Sequence, residues 1–105
     1  MAINNLVDAL FGWASIVGAT GAALASTAPT GTPARTGAGV YTFTLPSDQG
    51  IDATQCIGLV TARGATYGVG TVTHTSDTVK TIRMFDAAGA AADVDFDLVL
   101  IKVNA

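Results

Sequence analysis

The stretch Asp93-Val94-Asp95-Phe96-Asp97-Leu98-Val99-Leu100-Ile101-Lys102-Val103 decides the fold. Its first half alternates strictly: Val94, Phe96 and Leu98 point one way, and Asp93, Asp95 and Asp97 point the other. That two-residue period is the mark of a strand with one buried and one wet face. From Leu98 to Ile101 the alternation stops and both faces are apolar. A strand wet on one side at its start and apolar on both at its end needs a cover over its second face, either another sheet or another subunit. The row Leu98, Val99, Leu100 and Ile101 is therefore the expected oligomer interface.

Immediately upstream, Thr71-Val72-Thr73-His74-Thr75 runs into Ser76-Asp77, and Thr78 to Phe85 runs back. Crowded β-branched residues on two arms around a short polar pair predict a hairpin. Further towards the N-terminus, Val40 to Leu45 reads as a strand with Tyr41, Phe43 and Leu45 inward, stopped by Pro46. Gln55 to Ala62 is a strand apolar on both faces, and Tyr67 opens the hairpin. Trp13 to Val17 forms a strand with Ala14 and Ile16 on one side, and Ala22 to Ser26 is a returning strand. Thr27 to Gly39, with two prolines, three glycines and four threonines, reads as a surface loop. Short strands at this spacing predict an all-β, antiparallel β-sandwich or jelly roll, as one domain over residues 13–105.

Residues 1–12 form the exception, a short N-terminal helix or arm. Asn4 or Asn5 caps it, Asp8 suits its positive end, and Gly12 stops it. With so few turns it needs a docking surface, either this domain's own sheet or a neighbouring shell. Ile3, Leu6, Leu10 and Phe11 are the residues expected to make that attachment.

Composition narrows the function classes. Half of the 105 residues are hydrophobic and 12% are charged, which suits a folded domain and excludes a disordered chain. All eight acidic residues are Asp, so the strong helix former Glu is missing. A net charge of −3, with the basic residues Arg35, Arg63, Lys80, Arg83 and Lys102 scattered, offers no basic face for nucleic acid. No basic segment precedes an apolar run, so no secretory signal is expected. Ala9 to Ala28 is uncharged but broken by Gly12, Gly18 and Gly21 and rich in alanine, which is too weakly hydrophobic for a membrane span.

No motif for catalysis emerges. The single Cys56 lies among Ile57, Leu59 and Val60 and reads as a small buried hydrophobe. His74, the one histidine, sits on a different strand, and neither residue has a visible third partner. Asp93, Asp95 and Asp97 stand roughly 7 Å apart along one strand face. They lack the curled loop and distal Glu of a calcium site and read as a solvated face. The glycines near Gly64 have neither a phosphate-loop Lys-Ser/Thr nor a Rossmann context. The expectation is a protein that is not an enzyme and takes no metal or cofactor.

Four segments carry a resemblance: Arg35 to Phe43, with its glycines leading into Tyr-Thr-Phe; Ile51 to Cys56; the Val72–Lys80 hairpin; and Asp93 to Asp97. Together the chain resembles the small β-sandwich virion proteins of tailed bacteriophages, over about residues 35–103. The resemblance implies a capsid decoration or cement protein at the virion surface, bound to a major capsid protein and associated with itself, as a homotrimer. A head spike or tail-fibre module is the neighbouring reading. A non-viral carbohydrate- or protein-binding sandwich and a small hydrolase are readings of other classes.

Overall fold

The computed structural model describes residues 10–27, 29–46, 56–64 and 67–102. Seven strands lie within them: β1 (Leu10–Ile16), β2 (Thr32–Gly37), β3 (Val40–Thr44), β4 (Cys56–Ala62), β5 (Val69–His74), β6 (Val79–Phe85) and β7 (Phe96–Lys102). They form a three-stranded sheet, β1-β7-β4, and a four-stranded sheet, β2-β3-β6-β5, and every strand pairing is antiparallel. The two sheets pack as a β-sandwich. No helix among the described residues is long and apolar enough to cross a membrane.

Alternation in the sequence determines which side chains fill the interior. Ala14 and Ile16 from β1 meet Phe96, Leu98 and Leu100 from β7, with Val94 just ahead of that strand. Tyr41 and Phe43 from β3 and Ile82 and Met84 from β6 close over them, and Leu45 follows β3 inward. The rings of Tyr41 and Phe96 meet across the two sheets, tilted by 57° with centroids 4.9 Å apart. Fully burying a side chain of this size stabilises by about 1.5–3 kcal/mol, so this row is the main source of stability.

Lys80 occupies the same inward row as Ile82 and Met84 and is fully buried. Its ammonium donates to the carbonyls of Ser76 and Asp77 at 2.9 and 3.0 Å, in the turn that joins β5 to β6. A buried charge is tolerated only when such partners replace water. The long stem fills the core while its head holds the hairpin turn from inside.

Three expectations change. Leu10 to Gly12, expected to end a helix, belong to β1: Leu10 pairs with Ile101 and Gly12 with Leu100, with a bulge between them. Gly12 is the reason the strand continues here, because a Cβ at that position would lie 2.8 Å from Leu100 Cδ1. Pairing with β7 outweighs the weak local nucleus of so short a helix. Residues 1–9, the rest of the expected helix or arm, lie outside the described residues.

The loop expected over residues 27–39 contains β2. Thr32 to Gly37 pairs along β3 as an edge strand, and Pro33 is accommodated there because an edge does not need every N–H. Gly39, at φ 69°, turns the chain from β2 into β3. A side chain there would be strained and would lie 2.7 Å from the backbone of Ala92 and Met84. The returning strand expected at Ala22–Ser26 reduces to a bridge between Ala23 and Ile16. The segment instead covers the free edge of β1: Leu24 N donates to Ser15 O at 2.9 Å and Thr30 N to Trp13 O at 3.3 Å.

Candidate functional site

The three alternating aspartates face solvent, Asp93 and Asp95 exposed and Asp97 half-buried, but their carboxylates are not free. Asp93 and Asp95 precede β7, and each of the three carboxylates ties a different part of the chain to it. Asp93 accepts from Arg35 Nε and Nη2 at 3.1 and 2.9 Å, from Gly39 N at 2.8 Å, and lies 3.1 Å from the Tyr41 hydroxyl. Asp95 accepts from Gly18 N at 2.8 Å. Asp97 accepts from Ser15 Oγ at 2.6 Å and pairs with Arg63 Nε at 2.9 Å. Each carboxylate is bonded to at least one protein donor, and among the described residues no three His, Cys, Asp or Glu side chains converge as a metal cage.

The Asp93 clasp joins both sheets at one end of the sandwich. The Arg35 guanidinium, followed by the Gly39 N–H, holds the Asp93 carboxyl down at about 2. Tyr41 is buried, and its hydroxyl also donates to Gly18 O at 2.8 Å. Burial first, and the neighbouring Asp93 second, push its phenol up to about 12. The clasp keeps a carboxylate charged and a phenol neutral, which suits a fastener.

At another point of the sandwich the structure brings Cys56 and His74 together, although they sit on separate strands. The imidazole bonds to the backbone of Cys56, and its Nδ1 is buried without a hydrogen-bond partner among the described residues. Burial lowers the His74 pKa, helped by the charge of Lys80, whereas burial raises the Cys56 thiol against that same charge. Both shifts favour the neutral pair. A cysteine nucleophile needs the opposite, a thiolate beside an imidazolium.

The feature that stands apart is the outer face of the three-stranded sheet. Strand register aligns Trp13, Val99 and Leu59 in one row across β1, β7 and β4. Ile101 and Ile57 form the next row, and Ser15, Asp97 and Thr61 close the face at its polar end. Trp13 is 39% exposed, Ile57 45% and Leu59 51%, while Val99 and Ile101 are half-buried. The expected interface residues therefore divide. Leu98 and Leu100 are in the core, and Val99 and Ile101 lie on the outer face. Trp13, Ile57 and Leu59 join them only through register. Of the residues expected to attach to a shell, Ile3 and Leu6 lie outside the described residues, and Leu10 and Phe11 belong to β1.

The opposite outer face has different chemistry. Thr42, Thr81 and Thr73 form one row across β3, β6 and β5; Val40, Arg83 and Thr71 form another. Thr44 beside Thr32 extends this hydroxyl-rich surface onto β2. No family model, curated protein or solved structure matches the chain.

Proposed function

We propose that this protein is a non-catalytic structural component of a tailed-bacteriophage virion, a capsid decoration or cement protein that stabilises the head shell as a homotrimer. The observation that supports an assembly role is the contrast between the two outer faces of the sandwich. One presents Trp13, Leu59, Val99, Ile57 and Ile101; the other is mainly threonine with Arg83, and apolar Val40, Val69 and Phe85 lie towards one end of it. A module built into a larger particle needs one face that prefers protein to water and one that water wets. The virion part of the reading rests on the resemblance carried by Arg35–Phe43, Val72–Lys80 and Asp93–Asp97. The apolar N-terminal residues Ile3, Leu6, Leu10 and Phe11 supply the contact to the major capsid protein in this reading.

Cryo-electron microscopy of virions from the phage that encodes the chain tests it. Seven-stranded densities grouped in threes on the outer shell are the expected result. Complete absence of the chain from purified virions, read by mass spectrometry, overturns it. Deleting residues 2–9 should leave a folded sandwich that no longer binds shells; unchanged binding would remove the N-terminal segment from the attachment surface.

A further inference from the structure

We propose that the outer face of the β1-β7-β4 sheet packs on the same face of other copies of this chain, with Trp13 of one copy seated against Leu59 of the next. Three observations select a second copy as the occupant. The first is charge. The whole chain carries −3, yet the apolar rows of this face carry no charge; at its polar end Arg63 neutralises Asp97 at 2.9 Å, and Asp95 beyond them is bonded to Gly18 N. Like can therefore meet like without repulsion, and a partner of opposite charge finds nothing to read.

Shape is the second. Val99 stands at the centre of the row, with the indole of Trp13 on the β1 side and the smaller Leu59 on the β4 side. Rotating one copy onto another about an axis that runs along the strands in front of Val99 brings a β1 side against a β4 side. Large then meets small, whereas an axis across the strands would set indole on indole. The third is extent. A stable association buries about 800 Å² on each partner, with an apolar centre and a polar rim. The five apolar side chains form such a centre, and Ser15, Thr61, Asp97 and Arg63 form a rim at one end. The edge of β1 at Trp13 and Ser15 offers no rival route, because Leu24 and Thr30 already bond to it.

This inference rests on the assembly reading above but not on the virion, and its test uses the isolated protein, so absence from virions leaves the outcome unaffected. Trp13→Glu and Leu59→Lys, at exposed positions, are measured by sedimentation equilibrium, with far-UV circular dichroism to confirm folding. The unmodified chain should self-associate, and each variant should associate at least about thirtyfold more weakly, as expected for loss of a central anchor. The double variant should recover association, because the introduced glutamate and lysine meet between copies. Within one chain the two positions are two strands apart, about 10 Å, too far to pair directly.

A second measurement does not depend on those variants folding. Ser15→Cys with Thr61→Cys, in a Cys56→Ala background, should give disulfide-linked oligomers on oxidation. The same span forbids a bridge within one chain, since disulfide-bonded Cα atoms lie about 4.4–6.8 Å apart. A monomeric unmodified protein at about 100 μM, roughly the concentration range where a weak specific contact still shows, overturns the proposal. So do single variants that associate undiminished, a folded double variant no better than the singles, or oxidation that leaves only monomer.

Discussion

Replacing Tyr41 by Phe isolates one hydroxyl. The ring keeps its place against Phe96, and Asp93 keeps Arg35 and the Gly39 N–H. What goes is the donor to Gly18 O at 2.8 Å, so a buried carbonyl loses its partner. That loss costs about 1–3 kcal/mol. For a domain of this size each 1 kcal/mol lowers Tm by about 4–8 °C. The same hydroxyl also confers an alkaline limb. Its pKa is about 12 in the folded protein, above the ordinary value of 10.0, so its contribution is fully present below pH 10 and is lost as pH rises through 12. A difference of about two pH units corresponds to roughly 2–3 kcal/mol. Urea unfolding of both proteins between pH 8 and pH 12 should therefore show the advantage of the unmodified chain shrinking over that range. A constant difference, or a variant as stable as the parent at pH 8, would refute the role given to this hydroxyl.

The remaining perturbations probe other links. Asp93→Asn should flatten the acid limb: the Asp93 carboxyl is held at about 2, below its unfolded value, so its contribution is present above the unfolded pKa and lost as pH falls through 2. An unchanged acid unfolding curve would count against the clasp. Lys80→Met keeps the stem but removes the donor to Ser76 O and Asp77 O, and should lower stability by about 1–3 kcal/mol in urea; a more stable variant would contradict it. Leu100→Ala should cost about 2–5 kcal/mol through the cavity it leaves. Leu59→Ala, measured in dilute protein where copies are apart, should move the midpoint only slightly. EDTA should leave Tm unchanged, since the Asp93, Asp95 and Asp97 carboxylates are bonded to protein groups.

The parts of the fold legible in sequence are those where burial alone dictates the residue. Tyr41 and Phe43, Ile82 and Met84, and Phe96 and Leu98 alternate because each strand has one side in the core. β2 escaped that reading because an edge strand buries little, and Thr32, Pro33 and Arg35 carry turn-like or polar chemistry. The Asp roles were invisible for a different reason. Their donors Ser15, Gly18 and Arg35 lie 82, 77 and 58 residues away, and no local pattern announces such pairs. Lys80 looked like one of several scattered surface charges until its parity placed it inside. For the candidate surface, Val99 and Ile101 were readable from the lost alternation in β7. Trp13, Ile57 and Leu59 became part of it only once β1 and β4 were set on either side of that strand.

The position of β7 bears on how the chain is made. It is the last strand described, yet it stands between β1 and β4 and supplies both of their partners. As the chain leaves the ribosome, β2, β3, β5 and β6 can pair while β1 and β4 still lack a neighbour. The three-stranded sheet can close only after residues 96–102 have emerged, joining positions such as Ser15 and Asp97 that are 82 residues apart. Such long closures make for slow folding. They also delay the proposed contact surface, because the row Trp13-Val99-Leu59 does not exist until β7 is in place. Until then β1 and β4 have unpaired edges and the core side of each is uncovered, so the interval before β7 emerges is when the nascent chain is most open to mispairing.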